Sequence, residues 1–343
     1  MDKKRIGVVG CGQWGPNHIR NFFFHPQTEV KRICDKSPER LSANQSLYPG
    51  VAVTTDYREI TRAPDVDAVI VATPVSSHYE IVKDALEHSK DVLCEKPLTA
   101  RSEECRELTA LAAAKQRVLM VGHVFLFNPG IRKLKELLQQ KVCGRHFYLY
   151  GQRTNLGPVR RDVNAVYDLA AHDISIFNFL LEGTPRVITA SGHCYLQRGV
   201  EDVAFVSLEY PGGIAAHIHV SWLDPRKVRQ ITVVGEKKMI TWDDMKPSGP
   251  VEIFSKHVET AQFYKDYGEF QLLVKEGETV TPHVANAEPL KLQTEHFVDC
   301  ISRRSEPISG GRSALDVIET LEAIDAILAP SRQHDTVSSA RAR

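Results

Sequence analysis

The sequence predicts a two-part α/β plus α+β protein: a doubly wound parallel sheet in the first third, followed by a domain on a largely antiparallel, open-faced sheet. Three observations predict it. Apolar runs of strand length alternate with amphipathic helical stretches up to residue 121, a spacing that needs crossover helices and therefore parallel strands. The first of these runs ends in a glycine-rich turn. From residue 124 onward the pattern becomes strands joined by short turns, with helices returning near the end.

Composition narrows the classes of function. A length of 343 residues suits two cores, and 42% hydrophobic with 25% charged residues is the profile of a globular chain. Lys plus Arg equals Asp plus Glu at 43 each, so no global basic field draws nucleic acid or anionic lipid. No run approaches the ~20 apolar residues that span a bilayer, and the first ten residues lack the long apolar segment of a secretory signal. The seven cysteines (Cys11, Cys34, Cys94, Cys105, Cys143, Cys194 and Cys300) are scattered and odd in number. With no C-x-x-C pair, they point to reduced thiols in a cytoplasm and to no metal site.

Residues 5–10 read as a buried strand that runs into Gly10-Cys11-Gly12-Gln13-Trp14-Gly15 and then a helix. In a G-x-G-x-x-G turn the first glycine permits the bend and the second lets the backbone approach a pyrophosphate. The third lets helix and strand pack closely. The helix that follows directs free N–H groups and its positive dipole end at the phosphates. A second strand, 30–34, ends in Asp35, about 20 residues past the last glycine, where a carboxylate meets the adenosine ribose hydroxyls. That carboxylate repels a 2′-phosphate, so NAD is expected ahead of NADP, although Lys36 and Arg40 lie close enough to attract such a phosphate. The reading is a Rossmann dinucleotide-binding domain over 1–123, with the turn (Gly10, Gly12, Gln13, Trp14 and Gly15) and Asp35, Lys36 and Arg40 on the cofactor.

Alternation continues through a continuous apolar run at 67–72, suited to a strand buried on both faces. Thr73-Pro74 ends it at the edge where open α/β sheets bind ligands. A helix at 77–88, a strand at 91–94, a helix at 102–115 and a strand at 118–121 follow. Cys94-Glu95-Lys96-Pro97 closes the fifth strand at that same edge. Pro97 restricts Lys96 to an extended backbone. A lysine held beside a nicotinamide can polarise a hydroxyl and relay a proton, whereas the plain alternative is a solvated loop residue.

The domain over 124–343 is expected to bind substrate and to oligomerise. Strands are expected at 147–153, 187–195, 203–210, 214–222, 228–234 and 239–242. Within 214–222, Ile214, Ala216, Ile218, Val220 and Trp222 share one face, while Ala215, His217, His219 and Ser221 share the other. His217 and His219 point the same way but lack further ligands, so a polar face or interface is expected there. Residues 166–181 have helical composition, which makes Asp168 and His172 i,i+4 neighbours. A histidine oriented by a carboxylate suits a general base; the alternative is a pair that supports the helix. Just before it lie Arg153, Asn155, Arg160, Arg161 and Asn164, candidates to clamp a substrate diphosphate or, equally, a solvated basic loop. Residues 258–290 read as a long loop, 290–301 and 312–328 as helices, and 331–343 as a loose tail.

The combined pattern resembles the Gfo/Idh/MocA family. The residues carrying the resemblance are Gly10 to Gly15, Asp35, Thr73-Pro74 with His78, Glu95-Lys96-Pro97, and Asp168 with His172. It covers nearly the whole chain, and Glu-Lys-Pro is its most specific part. The resemblance implies an NAD-dependent oxidoreductase acting on CH–OH donors, with Lys96, Asp168 and His172 catalytic and Thr73, Pro74, His78, Glu95 and Lys96 near the cofactor. It also implies a homodimer or homotetramer formed through the open sheet face. The chain departs from the family pattern at Ala170 and Ser175, where members often carry Gly and Asp.

A subset acting on nucleotide-activated sugars is similar over Trp14-Gly15-Pro16-Asn17, over Gly122-His123-Val124-Phe125-Leu126-Phe127-Asn128-Pro129, over Asn155-Leu156-Gly157, and over the stretch at 219–225. That similarity implies oxidation of the 3-hydroxyl of UDP-N-acetylglucosamine or a related UDP-sugar to a 3-keto sugar for cell-envelope biosynthesis, with His123 in the substrate set. The alternatives are a dehydrogenase of a free sugar or inositol, a non-catalytic NAD-binding regulator, and a glycosidase that uses NAD transiently.

Overall fold

The strands β1 (Lys4–Val9), β2 (Thr28–Cys34), β3 (Ala52–Thr54), β4 (Ala68–Val71), β5 (Asp91–Cys94) and β6 (Leu119–Val121) pair in parallel in the order β3-β2-β1-β4-β5-β6. The computed structural model describes residues 3–160, 163–260 and 272–338. Every residue of β4 and β5 is buried, which is what continuous apolar runs require of central parallel strands. The crossovers are α1 (Gly15–Phe24), α2 (Pro38–Leu47), α3 (Arg58–Thr61), α4 (His78–Glu87) and α5 (Ser102–Ala114). At the start of α2 the Ser37 hydroxyl accepts the Arg40 N–H at 3.3 Å and Pro38 opens the helix, a favourable capping pair. The strand order reverses between β1 and β4, and ligands of such sheets bind at that reversal, beyond the strand C-termini.

The second sheet contains β7 (His146–Leu156), β8 (Arg186–His193), β9 (Val203–Tyr210), β10 (Ile214–Ser221), β11 (Leu223–Gly235), β12 (Met239–Asp243), β13 (Val251–Thr260) and β14 (Leu272–Val280). Their order is β14-β13-β12-β11-β7-β10-β9-β8, with β7 and β10 parallel and the other neighbours antiparallel. Alternation in β10 is as expected: Ala216, Ile218 and Val220 are buried, while His217 lies exposed on the opposite face. The covering helices are α6 (Pro129–Gln139) and α7 (Ala171–Leu181). A side chain at Gly151 on β7 would stand 3.2 Å from the Phe177 ring of α7, so glycine lets sheet and helix approach.

Two expectations need correction. Within 258–290, where a long loop was expected, the described residues include the paired strands β13 and β14, while 261–271 lie outside the described residues. The described residues of β14 from 274 on are exposed on both sides, so this edge strand lacks the buried alternate face that makes a strand legible. The stretch 331–338 is not a loose tail either, because it continues the helix α9 (Gly311–Ser338).

The chain forms two compact units. One compact unit comprises Met1–Phe127 with Ala287–Glu319, and the other Asn128–Asn286 with Thr320–Arg343. The returning segment, which includes α8 (Pro289–Arg303), completes the first unit's core. Phe297 meets Phe22 edge-to-face at 6.1 Å, and Arg304 pairs with the Asp91 carboxylate at 2.6 and 2.9 Å.

Candidate active site

Gly10 adopts φ +100°, and a Cβ there would lie 2.5 Å from the Ala72 carbonyl oxygen. A Cβ on Gly15 would lie 2.0 Å from the Gly10 oxygen. Around Gly12, by contrast, an added Cβ meets nothing within 4 Å. The first and third glycines therefore serve the protein's own packing, while the second leaves open the space a pyrophosphate requires. The turn fits a dinucleotide. Gln13 and Trp14 are exposed at the start of α1.

Asp35 sits at the tip of β2 and reaches back to the turn. Its Oδ2 accepts the Cys11 N–H at 2.6 Å and its Oδ1 accepts the Ser37 N–H at 2.8 Å. A carboxylate has about four acceptor positions, so capacity remains for ribose hydroxyls. Lys36 and Arg40 are exposed, and the Arg40 guanidinium stands 3.8 Å from Asp35.

Thr73 and Pro74 follow β4 at the same edge. His78, expected on the cofactor, is buried instead: its Nε2 meets the Thr73 carbonyl at 2.8 Å and its Nδ1 the Pro97 carbonyl at 2.9 Å. Burial pushes this imidazole's pKa down. The ring lies between two loops, with one nitrogen facing a carbonyl of each.

The peptide bond between Lys96 and Pro97 is cis. Beside it the Glu95 carboxylate is 13% exposed. Its Oε1 meets His18 Nε2 at 2.8 Å, and its Oε2 accepts the Lys96 N–H at 3.2 Å. Burial raises this carboxyl, but the His18 bond and the Lys96 ammonium outweigh it and hold Glu95 below the usual range. His123, expected against substrate, is also buried, and neither ring nitrogen has a hydrogen-bond partner among the described residues. Burial first, then the Lys96 charge, push its pKa down to about 4, so the ring is neutral. His18 escaped the sequence reading. Its one signal was its place three residues after Gly15, on the first turn of the helix.

In the second unit a π-helical turn, Val166–Ala170, precedes α7. Asp168 lies in this turn and His172 in the α-helix that follows it directly. Asp168 takes the Arg160 guanidinium on Oδ1 at 3.2 Å and the Trp222 indole N–H on Oδ2 at 3.2 Å. Trp222, placed by the sequence on one face of the 214–222 strand and within the similar stretch at 219–225, is buried and was not among the expected site residues. His172 lies one residue into α7, where its carbonyl accepts the Ser175 hydroxyl at 2.7 Å.

The proposed phosphate clamp divides. Arg153 forms a two-point pair with Asp173, with both contacts at 3.0 Å and side chains 3% and 1% exposed. Its guanidinium holds the fold together and is not presented to a ligand. Asn155 donates to the Gly157 carbonyl. Asn164 donates to Glu201 at 2.8 Å and accepts the Tyr167 N–H at 3.0 Å. Both asparagines tie the loop. Arg160 is 38% exposed and remains a candidate, while Arg161 lies outside the described residues. Among the described residues no group of three or more His, Cys, Asp or Glu is placed to hold a metal ion, and no helix is long and apolar enough to cross a membrane.

Residues 4–123 match the GFO_IDH_MocA model, described as an oxidoreductase family with an NAD-binding Rossmann fold, and residues 131–241 match the GFO/IDH/MocA C-terminal domain. The chain is 27% identical over 274 residues to YrbE, an uncharacterized oxidoreductase of Bacillus subtilis, covering 75% of this chain and 77% of that one. It is 30% identical over 220 residues to an inositol 2-dehydrogenase of Paenarthrobacter aurescens, covering 61% of this chain and 66%, just under two thirds, of that one. The UDP-N-acetylglucosamine 3-dehydrogenase GnnA of Acidithiobacillus ferrooxidans superposes with a TM-score of 0.80 at 21% identity, covering 96% and 98% of the two chains. At that identity the likeness is one of fold.

Proposed function

Because the chain belongs to the Gfo/Idh/MocA oxidoreductase family, with both of that family's domains recognised, we propose that it oxidises a secondary alcohol of a cyclic polyol or sugar with NAD. The observation that carries the reading is the open space over Gly12 beside a carboxylate, Asp35, hydrogen-bonded to the same turn. The negative charge of Asp35 supports NAD over NADP. Bound on the turn, the dinucleotide supplies the hydride acceptor.

Lys96 and His172 are the proton-handling groups of this reading. The ammonium stabilises negative charge developing on the alcohol oxygen, and the imidazole accepts its proton. Asp168, itself held by Arg160 and Trp222, supports the charged imidazolium. Base catalysis of this kind contributes roughly 10²–10⁴-fold. Lys96→Ala and His172→Ala are each expected to lose about that much kcat while NAD binding, followed by titration, is retained. Wild-type turnover in either variant removes that residue from the mechanism.

The substrate favoured here is a UDP-sugar oxidised at its 3-hydroxyl, UDP-N-acetylglucosamine first, with Arg160 the candidate for its diphosphate. The similarity over 14–17, 122–129, 155–157 and 219–225 to proteins acting on nucleotide-activated sugars supports it. A free inositol or sugar is the second reading, favoured by the 30% identity to an inositol 2-dehydrogenase. A panel of UDP-sugars, free sugars and inositols with NAD and NADP, read by NADH absorbance, separates them. Steady NADH formation with UDP-sugars alone supports the first reading, and with free polyols alone the second. Glycoside cleavage without net NADH would replace both. The open sheet face, where Tyr148, Tyr150 and Phe205 are 40%, 44% and 49% exposed, is proposed to join copies of this chain.

A further inference from the structure

We infer that His18 is a positioning residue: through Glu95 it couples the glycine turn that receives the dinucleotide to the backbone that carries Lys96. The inference rests on the reading that Lys96 serves turnover.

The coupling is built from three contacts within one unit. The start of α1 is set by the close approach of Gly15 to the Gly10 carbonyl. Less than one turn further, His18 is 1% exposed and places Nε2 at 2.8 Å from Glu95 Oε1. The other oxygen of Glu95 accepts the Lys96 N–H. One carboxylate thus bridges the cofactor helix and the catalytic loop.

Two further features fit this use better than packing alone. A buried carboxylate held by a hydrogen-bonding imidazole recovers its desolvation cost poorly compared with apolar side chains of similar volume, so the pair is a poor filler for the layer behind β5. The residue after β6 also makes room for it: a Cβ on Gly122 would stand 3.1 Å from Glu95 Oε2 and 3.3 Å from Glu95 Cα. The charge of Glu95 also bears on the Lys96 ammonium, which in turn helps hold the Glu95 carboxyl low. Without His18, Glu95 loses its partner on α1, and both the Lys96 backbone tie and the charge beside its ammonium lose their anchor.

The test is a double-mutant cycle on the full chain: His18→Ala, His18→Gln, Lys96→Ala and the His18→Ala/Lys96→Ala pair. Each is measured for kcat, the pH dependence of kcat, NAD binding by fluorescence titration, and melting. His18→Ala is expected to lower kcat about tenfold or more and to shift the pH profile. His18→Gln, whose amide still donates to Glu95, should recover most of the loss. In the Lys96→Ala background the same His18→Ala change should cost almost nothing further, because it acts through the absent amine.

Equal losses in both backgrounds, or unchanged kcat in His18→Ala, overturn the inference. Wild-type turnover in Lys96→Ala alone overturns the reading beneath it, and the inference with it. Should His18→Ala fail to fold, Glu95→Gln keeps the volume and removes the charge. It must show the same non-additivity with Lys96→Ala, and additive losses would overturn the proposal.

Discussion

A guanidinium makes the same two-pronged contact with a ligand phosphate and with a protein carboxylate, so Arg153 could be read either way until its surroundings were known. Buried against Asp173, it predicts a stability effect. Arg153→Ala leaves an uncompensated buried carboxylate and is expected to cost roughly 3–5 kcal/mol. Arg153→Lys should recover part of this, since one ammonium does not reproduce two parallel bonds. Urea unfolding checks both, and a loss below about 1 kcal/mol would contradict the assignment.

His123 makes a prediction in pH at the same scale. Its folded pKa is about 4 against an ordinary 6.5, so between those values the unfolded chain binds a proton that the folded one refuses. Stability is therefore full above about 6.5 and falls as pH drops towards about 4, by about 3 kcal/mol from this group. His78, His146 and His219 are pushed down by burial as well and act in the same direction. His123→Gln should make the acid limb of the stability profile shallower, measured as unfolding free energy against pH. An unaltered slope would assign the limb to other groups.

At the scale of the element, the glycines of one turn are expected to behave oppositely. Gly15→Ala drives a methyl into backbone and should lower stability by about 1–3 kcal/mol. Gly12→Ala meets no protein atom, so melting should stay at the wild-type value while NAD affinity falls tenfold or more as the methyl occupies pyrophosphate space. Thermal melts and NAD titration on the pair test this, and unimpaired NAD binding by Gly12→Ala would place the pyrophosphate elsewhere. Elements with one buried face were legible, as β10 illustrates. The π-helical turn before α7 and the ribbon of β13 and β14 were not. The first is an irregularity within a helical composition, and the second shows solvent on both sides of its edge strand.

At the scale of the whole molecule, the aromatic residues on the open sheet face predict an assembly. Replacing Tyr150 and Phe205 together by lysine should convert it to monomers in light scattering, since charged groups are disfavoured at the centre of an interface. A wild-type chain that is already monomeric would dismiss the proposal.

The glycine turn, the apolar period of the strands and the acidic residue ending β2 could all be read in advance, because each depends on residues adjacent in the chain and on backbone geometry common to all proteins. Coordinates were needed for whatever joins distant segments: the return of 287–319 to the first unit, the meeting of His18 with Glu95 across 77 residues, and the capture of Arg153 by Asp173. The reason is physical. A polar side chain taken out of water must satisfy itself with whatever group folding brings beside it, and chain-local pattern carries no record of that neighbour.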